Sequence, residues 1–226
     1  MRPIKDIRVY KSLSENADGL PMPAGVVNRE LAVVLHRVAM KLSEKGFTLG
    51  DFDHIYIDLT CFPTEGGIAP SKRSIDRYHS WYRWYEAEVS RELYGTLESP
   101  ECIPVVIEIL GQVLTRFFST AEFGSEAILA CVNEAVTAGE DMLVVFREKT
   151  SARNRAVIYL RYTDSGKFFP LLRVYGGEDE LMLEKDLPLA NSLDAYGTIQ
   201  LSAKEVTIKP RKNAFSSDLA PMIFEL

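Results

Sequence analysis

The residues best suited to chemistry lie close together in the first third of the chain. His54 and Asp58 fall on the same side of the alternating run at residues 54–60, and His79 follows a loop rich in proline and glycine. An imidazole exchanges protons near neutral pH, and a carboxylate can orient it. A site built from these three, beneath the loop at 63–70, would suit hydrolysis of a small molecule. Adding Cys61 or Glu65 gives a mixed set of metal-ligand types. The spacing fits no zinc pattern, so neither a metal nor a cofactor is expected. The plainer reading puts His54 at a strand entrance and His79 on a helix flank. His36, alone on an apolar helix, reads as a packing residue.

Two other motifs fail on inspection. Residues 66–73, Gly-Gly-Ile-Ala-Pro-Ser-Lys-Arg, have the look of a phosphate loop. However, the Walker pattern needs glycine before the lysine, and here Ser71 stands there. Pro70 also removes a backbone donor. There is no Gly-x-Ser-x-Gly elbow for nucleophilic catalysis.

The densest stretch is aromatic and basic. Both tryptophans of the chain, Trp81 and Trp84, sit among Arg73, Arg77, Tyr78, Tyr82, Arg83 and Tyr85, with Glu88 and Arg91 following. Tryptophan, tyrosine and arginine anchor protein interfaces, because they offer large contact area and directional hydrogen bonds. The candidate partner-binding set is therefore Arg73, Arg77, Trp81, Arg83, Trp84, Glu88 and Arg91. The competing reading is that the two indoles pack in the core.

Composition limits the classes. The chain has 226 residues, 46% hydrophobic and 26% charged, enough for a core without metals or disulfides. A net charge of −6 argues against non-specific nucleic-acid binding and suits a basic partner. The three cysteines, Cys61, Cys102 and Cys131, form no disulfide or zinc framework, so reduced thiols and a cytoplasmic location are expected. The charges near the start lead into no apolar run, so no signal peptide is expected. No stretch is long and apolar enough to span a membrane.

These residues must be held by local structure. Residues 4–10 alternate and predict a strand. Asn28 can cap a helix through Leu31, Leu35, Val38 and Leu42, which Gly46 ends. Residues 54–60 predict a strand with Ile55, Ile57 and Leu59 on one face. Ser74 is placed to cap a helix over 75–93. Its projection puts Tyr78, Tyr82, Tyr85 and Val89 on one side and Trp84 near Arg77, Glu88 and Arg91 on the other. Two further helices are predicted from Pro104, with Val106, Ile109, Leu110, Val113 and Phe117 inward, and over 126–138, with Ile128, Val132, Ala135 and Val136 inward. Strands follow at 142–146, 156–162, 168–175, 180–183, 198–202 and 206–209, then an irregular tail. The expected fold is α+β, helices packed on a mainly antiparallel sheet, helix-rich in the first half and strand-rich in the second. The expectation is one domain over 1–226, with a soft boundary near 139–141.

The strand at 54–60, the Pro63 and Gly66 loop, and the run from Arg73 through Tyr78, Trp81 and Arg83 resemble a segment of immunity proteins from bacterial polymorphic-toxin systems. The resemblance covers about the second fifth of the chain. It implies a cytosolic protein that neutralises a cognate toxin domain by stoichiometric binding, with no turnover and no catalytic motif to carry over. Three functions compete: an immunity-type inhibitor, a hydrolase around His54, Asp58 and His79, and a scaffold assembling through exposed sheet edges.

Overall fold

In a computed structural model, the described residues are 2–16, 18–73, 75, 77–190, 192–213 and 218–226. The chain divides into two compact units, Met1–Gly139 and Glu140–Leu226.

The first unit starts with β1 (Asp6–Ser12), the short pair β2 (Ser14–Glu15) and β3 (Pro21–Met22), α1 (Arg29–Glu44) and β4 (His54–Thr60). It continues with β5 (Ile68–Pro70), β6 (Tyr82–Glu88), α2 (Arg91–Thr96), α3 (Ile103–Phe118) and α4 (Ser125–Ala138). As the sequence predicts, the Asn28 side chain accepts from the backbone N–H of Leu31 to start α1. Leu31, Leu35, Val38 and Leu42 are buried along its inner stripe. Lys41, also buried on α1, bonds Glu44 and Glu134 at 2.8 Å each, tying α1 to α4.

The sheet has the order β1-β4-β6-β5. β1, β4 and β6 run parallel and only β5 is antiparallel. The expected mainly antiparallel sheet is thus corrected for this unit. The reason is visible in the order of elements: a helix between β1 and β4 returns the chain to the same end, which makes the two strands parallel. The expected division into a helical half and a strand half is also not what is found, since strands occur from residue 6 onward. The α+β class itself holds.

The largest departure is at residues 75–93, where a single helix is expected. Residues 82–88 form β6 instead, and a helix begins only at Arg91, capped by Ser90. Tyr85, Ala87 and Val89 are buried at every second position, the period of a strand. Aromatic residues favour a pleated, half-buried surface, and burial on β4 decides between the two periods. The proposed cap at Ser74 lies outside the described residues. On α4, Cys131 packs inward where Val136 was expected, and Val136 is exposed.

The second unit carries two antiparallel sheets. One has the order β10-β9-β8-β7, with β7 (Val144–Thr150), β8 (Arg155–Leu160), β9 (Leu171–Tyr175) and β10 (Leu181–Asp186). The other has the order β11-β12-β13, with β11 (Thr198–Leu201), β12 (Glu205–Lys209) and β13 (Met222–Glu225). The first five of these and β12 fall close to the predicted runs. β13 shows that the apolar end of the expected irregular tail docks, pairing with β12. A shared core of Ala156, Ile158, Leu172, Val174, Tyr196, Val206 and Ile208 lies between the strands, with Met222 and Phe224 packed against it. Gly197 is required by close approach: a Cβ there would lie 2.4 Å from the backbone N of Arg211.

Candidate functional site: an aromatic and arginine sheet face

Strand alternation splits the first unit's sheet into two unlike faces. One carries Ile7 and Val9 of β1, Ile55, Ile57 and Leu59 of β4, and Tyr85 and Ala87 of β6, all buried. Tyr85 meets Phe117 and Phe118 of α3 at ring distances of 5.1 and 5.5 Å, so this is the helix-covered face. Burial pushes the Tyr85 phenol up to about 12.

The register places different chemistry on the opposite face. Arg8 pairs with Tyr56 and Tyr56 with Trp84; Tyr10 pairs with Asp58 and His54 with Tyr82. Four rings therefore meet. Tyr56 stacks on Tyr82 at 4.8 Å and 18°, Tyr10 lies 4.8 Å from Trp84, and Tyr56 lies 5.2 Å from Trp84 edge-on. These are the offset and edge geometries that ring quadrupoles favour. An arginine covers each end: Arg8 sits 5.4 Å over Tyr56, and Arg73 sits 4.5 Å over Trp84. Burial pulls the Arg8 guanidinium down, but its bonds to Tyr10 and Asp6 and the Asp6 charge outweigh this and hold it above its usual value. Burial raises the Tyr56 phenol, against the lowering effect of Arg8.

Arg73 is fixed from below. Its Nη2 donates to Asp58 at 2.6 Å and also to the Pro21 carbonyl on β3. Asp58 is fully buried and accepts from the Ser12 hydroxyl at 2.7 Å. Arg73 Nη1 is buried and has no hydrogen-bond partner among the described residues. A cavity of about 330 Å³ opens beside this guanidinium, lined by Phe52, Ser71, Arg73, Tyr82, Trp84 and Tyr85 among others.

The expected interface residues are therefore distributed, not gathered on one helix side. Arg73 and Trp84 do come together. Arg83 faces the other way, over the Phe52 ring at 4.9 Å, paired with Asp51 at 3.0 Å. Trp81 ends the connection into β6, its ring 4.8 Å from His79 and its carbonyl accepting from the backbone N–H of Asp53 and of His54. Arg77 is exposed on that connection. Glu88 lies at the far end of β6, four residues and roughly 13 Å of strand from Trp84, and accepts from the Thr64 N–H. Arg91 is exposed at the first turn of α2. The grouping of Trp84 with Arg77, Glu88 and Arg91 required a helix, and there is none. Sequence reasoning passed over Tyr10, Arg8 and Ser12. Their signal was the alternation of β1, whose polar side faces that of β4.

Of the alternative catalytic residues, His54 and Asp58 are placed apart. His54 and Asp58 are four positions apart on one strand, roughly 13 Å. Asp58 is committed to Arg73 and Ser12, while His54 Nδ1 lies 2.6 Å from Asp53. Burial raises the Asp53 carboxyl, but bonds to Lys5 and His54 outweigh it and hold it below its usual value. Among the described residues no three histidines, cysteines or carboxylates are grouped to hold a metal ion, and no helix is long and apolar enough to cross a membrane.

No family model matches the chain, and neither a curated protein nor a solved structure matches it.

Proposed function

We propose that this chain is an immunity-type protein that binds a cognate bacterial toxin domain stoichiometrically and so neutralises it. The observation that supports this reading most is the aromatic face: four rings flanked by Arg8 and Arg73 on the side of the sheet opposite the one that Tyr85 turns to α3. Such a face is rigid before binding, because Asp58, Ser12 and Pro21 fix the guanidinium that covers Trp84. Pre-organised aromatic and arginine side chains lose little entropy on contact, which suits tight inhibition. The free thiols at Cys61, Cys102 and Cys131 suit work in the cytoplasm.

The experiment is coexpression with the toxin-like product of the adjacent gene, followed by calorimetric titration of the purified pair. Rescue of growth and a one-to-one complex are expected. A toxin domain that kills equally with and without this chain, and forms no complex with it, would refute the reading.

A further inference from the structure

The cavity beside Arg73 lies where β5 parts from β6. The two strands pair only through Ile68 with Ala87, Ala69 with Glu86 and Pro70 with Tyr85. The Ser71 N–H still donates to the Trp84 carbonyl at 2.9 Å. Phe52, Tyr82, Trp84 and Tyr85 give the cavity an aromatic wall, and Ser71 and Arg73 add polar groups. Its volume of about 330 Å³ and its apolar lining with few polar groups are those of a small-molecule site, which typically spans about 300–1,000 Å³. One polar group of that wall is unsatisfied. Arg73 Nη1 is buried and has no hydrogen-bond partner among the described residues. Folded proteins pair nearly all such donors, because an unmade bond in the interior costs stability.

The charges around the cavity are already balanced. Its two charged wall residues each hold a carboxylate: Arg73 pairs with Asp58 at 2.6 Å and Arg83 with Asp51 at 3.0 Å. Ser71 Oγ donates to a third carboxylate, Glu86, at 2.5 Å. An anionic ligand would bring a charge with no free cation to meet it, beside Glu86. A cationic one would be set against two guanidiniums. What the wall lacks is an acceptor for Nη1, and an uncharged oxygen supplies that without a new charge to desolvate. The surrounding rings favour a flat body that can stack or meet them edge-on. We infer that this cavity binds an uncharged, planar small molecule of the aromatic amide class, whose carbonyl oxygen accepts from Arg73 Nη1 and whose ring packs among Phe52, Tyr82 and Trp84. This site goes beyond the toxin-binding reading and does not rest on it.

The test uses three probes of one shape and different charge: benzamide, benzoate and benzamidine. Each is titrated into the full chain, labelled with nitrogen-15, and followed by the backbone amide and tryptophan indole signals. Benzamide should bind saturably with a Kd on the order of 1 mM, ordinary for so small a molecule. Its shifts should centre on Ser71, Arg73, Tyr82 and the Trp84 indole. Benzoate and benzamidine should each bind at least about fivefold more weakly, since each adds an unbalanced charge. Two variants locate the site. Arg73→Lys keeps a cation for Asp58 but has no Nη1, and Ser71→Leu narrows the cavity while leaving Arg73 in place. Each should weaken benzamide at least about fivefold, the scale of one hydrogen bond to a charged group or of lost space. Thermal melts check that both variants fold, and Ser71→Leu decides alone if Arg73→Lys does not. Shifts that fail to saturate with all three probes would overturn the inference. So would benzoate binding more tightly than benzamide, which would mark an anion site, or benzamide binding the folded variants as it binds wild type.

Discussion

Arg73 and Asp58 join the face to the sheet: the guanidinium that lies 4.5 Å over the Trp84 ring is held from beneath by a fully buried carboxylate at 2.6 Å. The two residues are 15 apart in sequence, on either side of the loop that contains β5. Removing one partner leaves a buried charge without its counter-ion, which typically costs about 3–5 kcal/mol. Asp58→Ala is therefore expected to lower unfolding free energy by about that amount in urea denaturation. The double replacement Asp58→Leu with Arg73→Met should cost clearly less than the two single losses added, because no orphan charge remains. Additive losses would show that the pair is not coupled in the way its geometry indicates.

Tyr85 gives a pH-dependent prediction on the other face. Its phenol is pushed from the ordinary 10.0 up to about 12 by burial against α3. A raised folded-state value means that the unfolded chain releases the proton first as pH increases. The stability tied to the neutral phenol is therefore complete below pH 10 and is lost as pH rises towards about 12. Thermal melts of wild type and Tyr85→Phe should run parallel at pH 7–9 and separate above pH 10, with the phenylalanine variant the more resistant. Identical alkaline profiles for the two proteins would remove Tyr85 as a source of alkaline lability.

What the sequence made legible, and what it hid, follows from the range of the interactions involved. α1 was readable because its cap, its stripe and its stop all act within a few residues: Asn28, Leu31 through Leu42, and Gly46. β4 was readable because Ile55, Ile57 and Leu59 alternate strictly. β6 was not. Tyr78, Tyr82, Tyr85 and Val89 match a helical period, while Tyr85, Ala87 and Val89 match a strand period, and nothing local separates the two. The choice is made by β4, whose backbone pairs with residues 82–88 in register, a partner more than twenty residues away in the chain. The candidate face suffered the same way. Trp84 and Arg73 were singled out by type, but Tyr10 and Arg8 join them only through the parallel pairing of β1 with β4.

Gly197 offers a prediction in the second unit that is free of conformational ambiguity. Its backbone is in the right-handed region, so alanine fits the dihedral angles. The obstacle is contact: the added methyl would meet the Arg211 N at 2.4 Å and the Pro210 carbonyl carbon at 2.6 Å, both backbone atoms that no rotamer change can move. The Arg211 N–H donates to the Asp194 carbonyl at 2.7 Å, so the strand end cannot shift away without breaking that bond. Gly197→Ala should destabilise the unit by roughly 1–3 kcal/mol, the usual cost of overpacking. The loss should appear as a lower urea midpoint with an unchanged slope, and a midpoint equal to wild type would mean the segment yields freely.

Arg8 tests the face from the end opposite Arg73. Its guanidinium lies 5.4 Å over Tyr56, and its side chain is 49% exposed and paired with Asp6 at 2.6 Å. An ion pair this accessible contributes little to folding, on the order of 0–1 kcal/mol, so Arg8→Ala should melt within a few degrees of wild type. In the complex the same group would be shielded from water, where an arginine over an aromatic ring and its hydrogen bonds count for more. Calorimetry against the toxin domain should then show binding weakened by about tenfold, roughly 1.4 kcal/mol, with stoichiometry unchanged. Tyr82→Ala, which removes the ring stacked on Tyr56, should weaken binding at least as much while costing more in stability. If Arg8→Ala and Tyr82→Ala both bind as wild type does, the partner does not use the aromatic face.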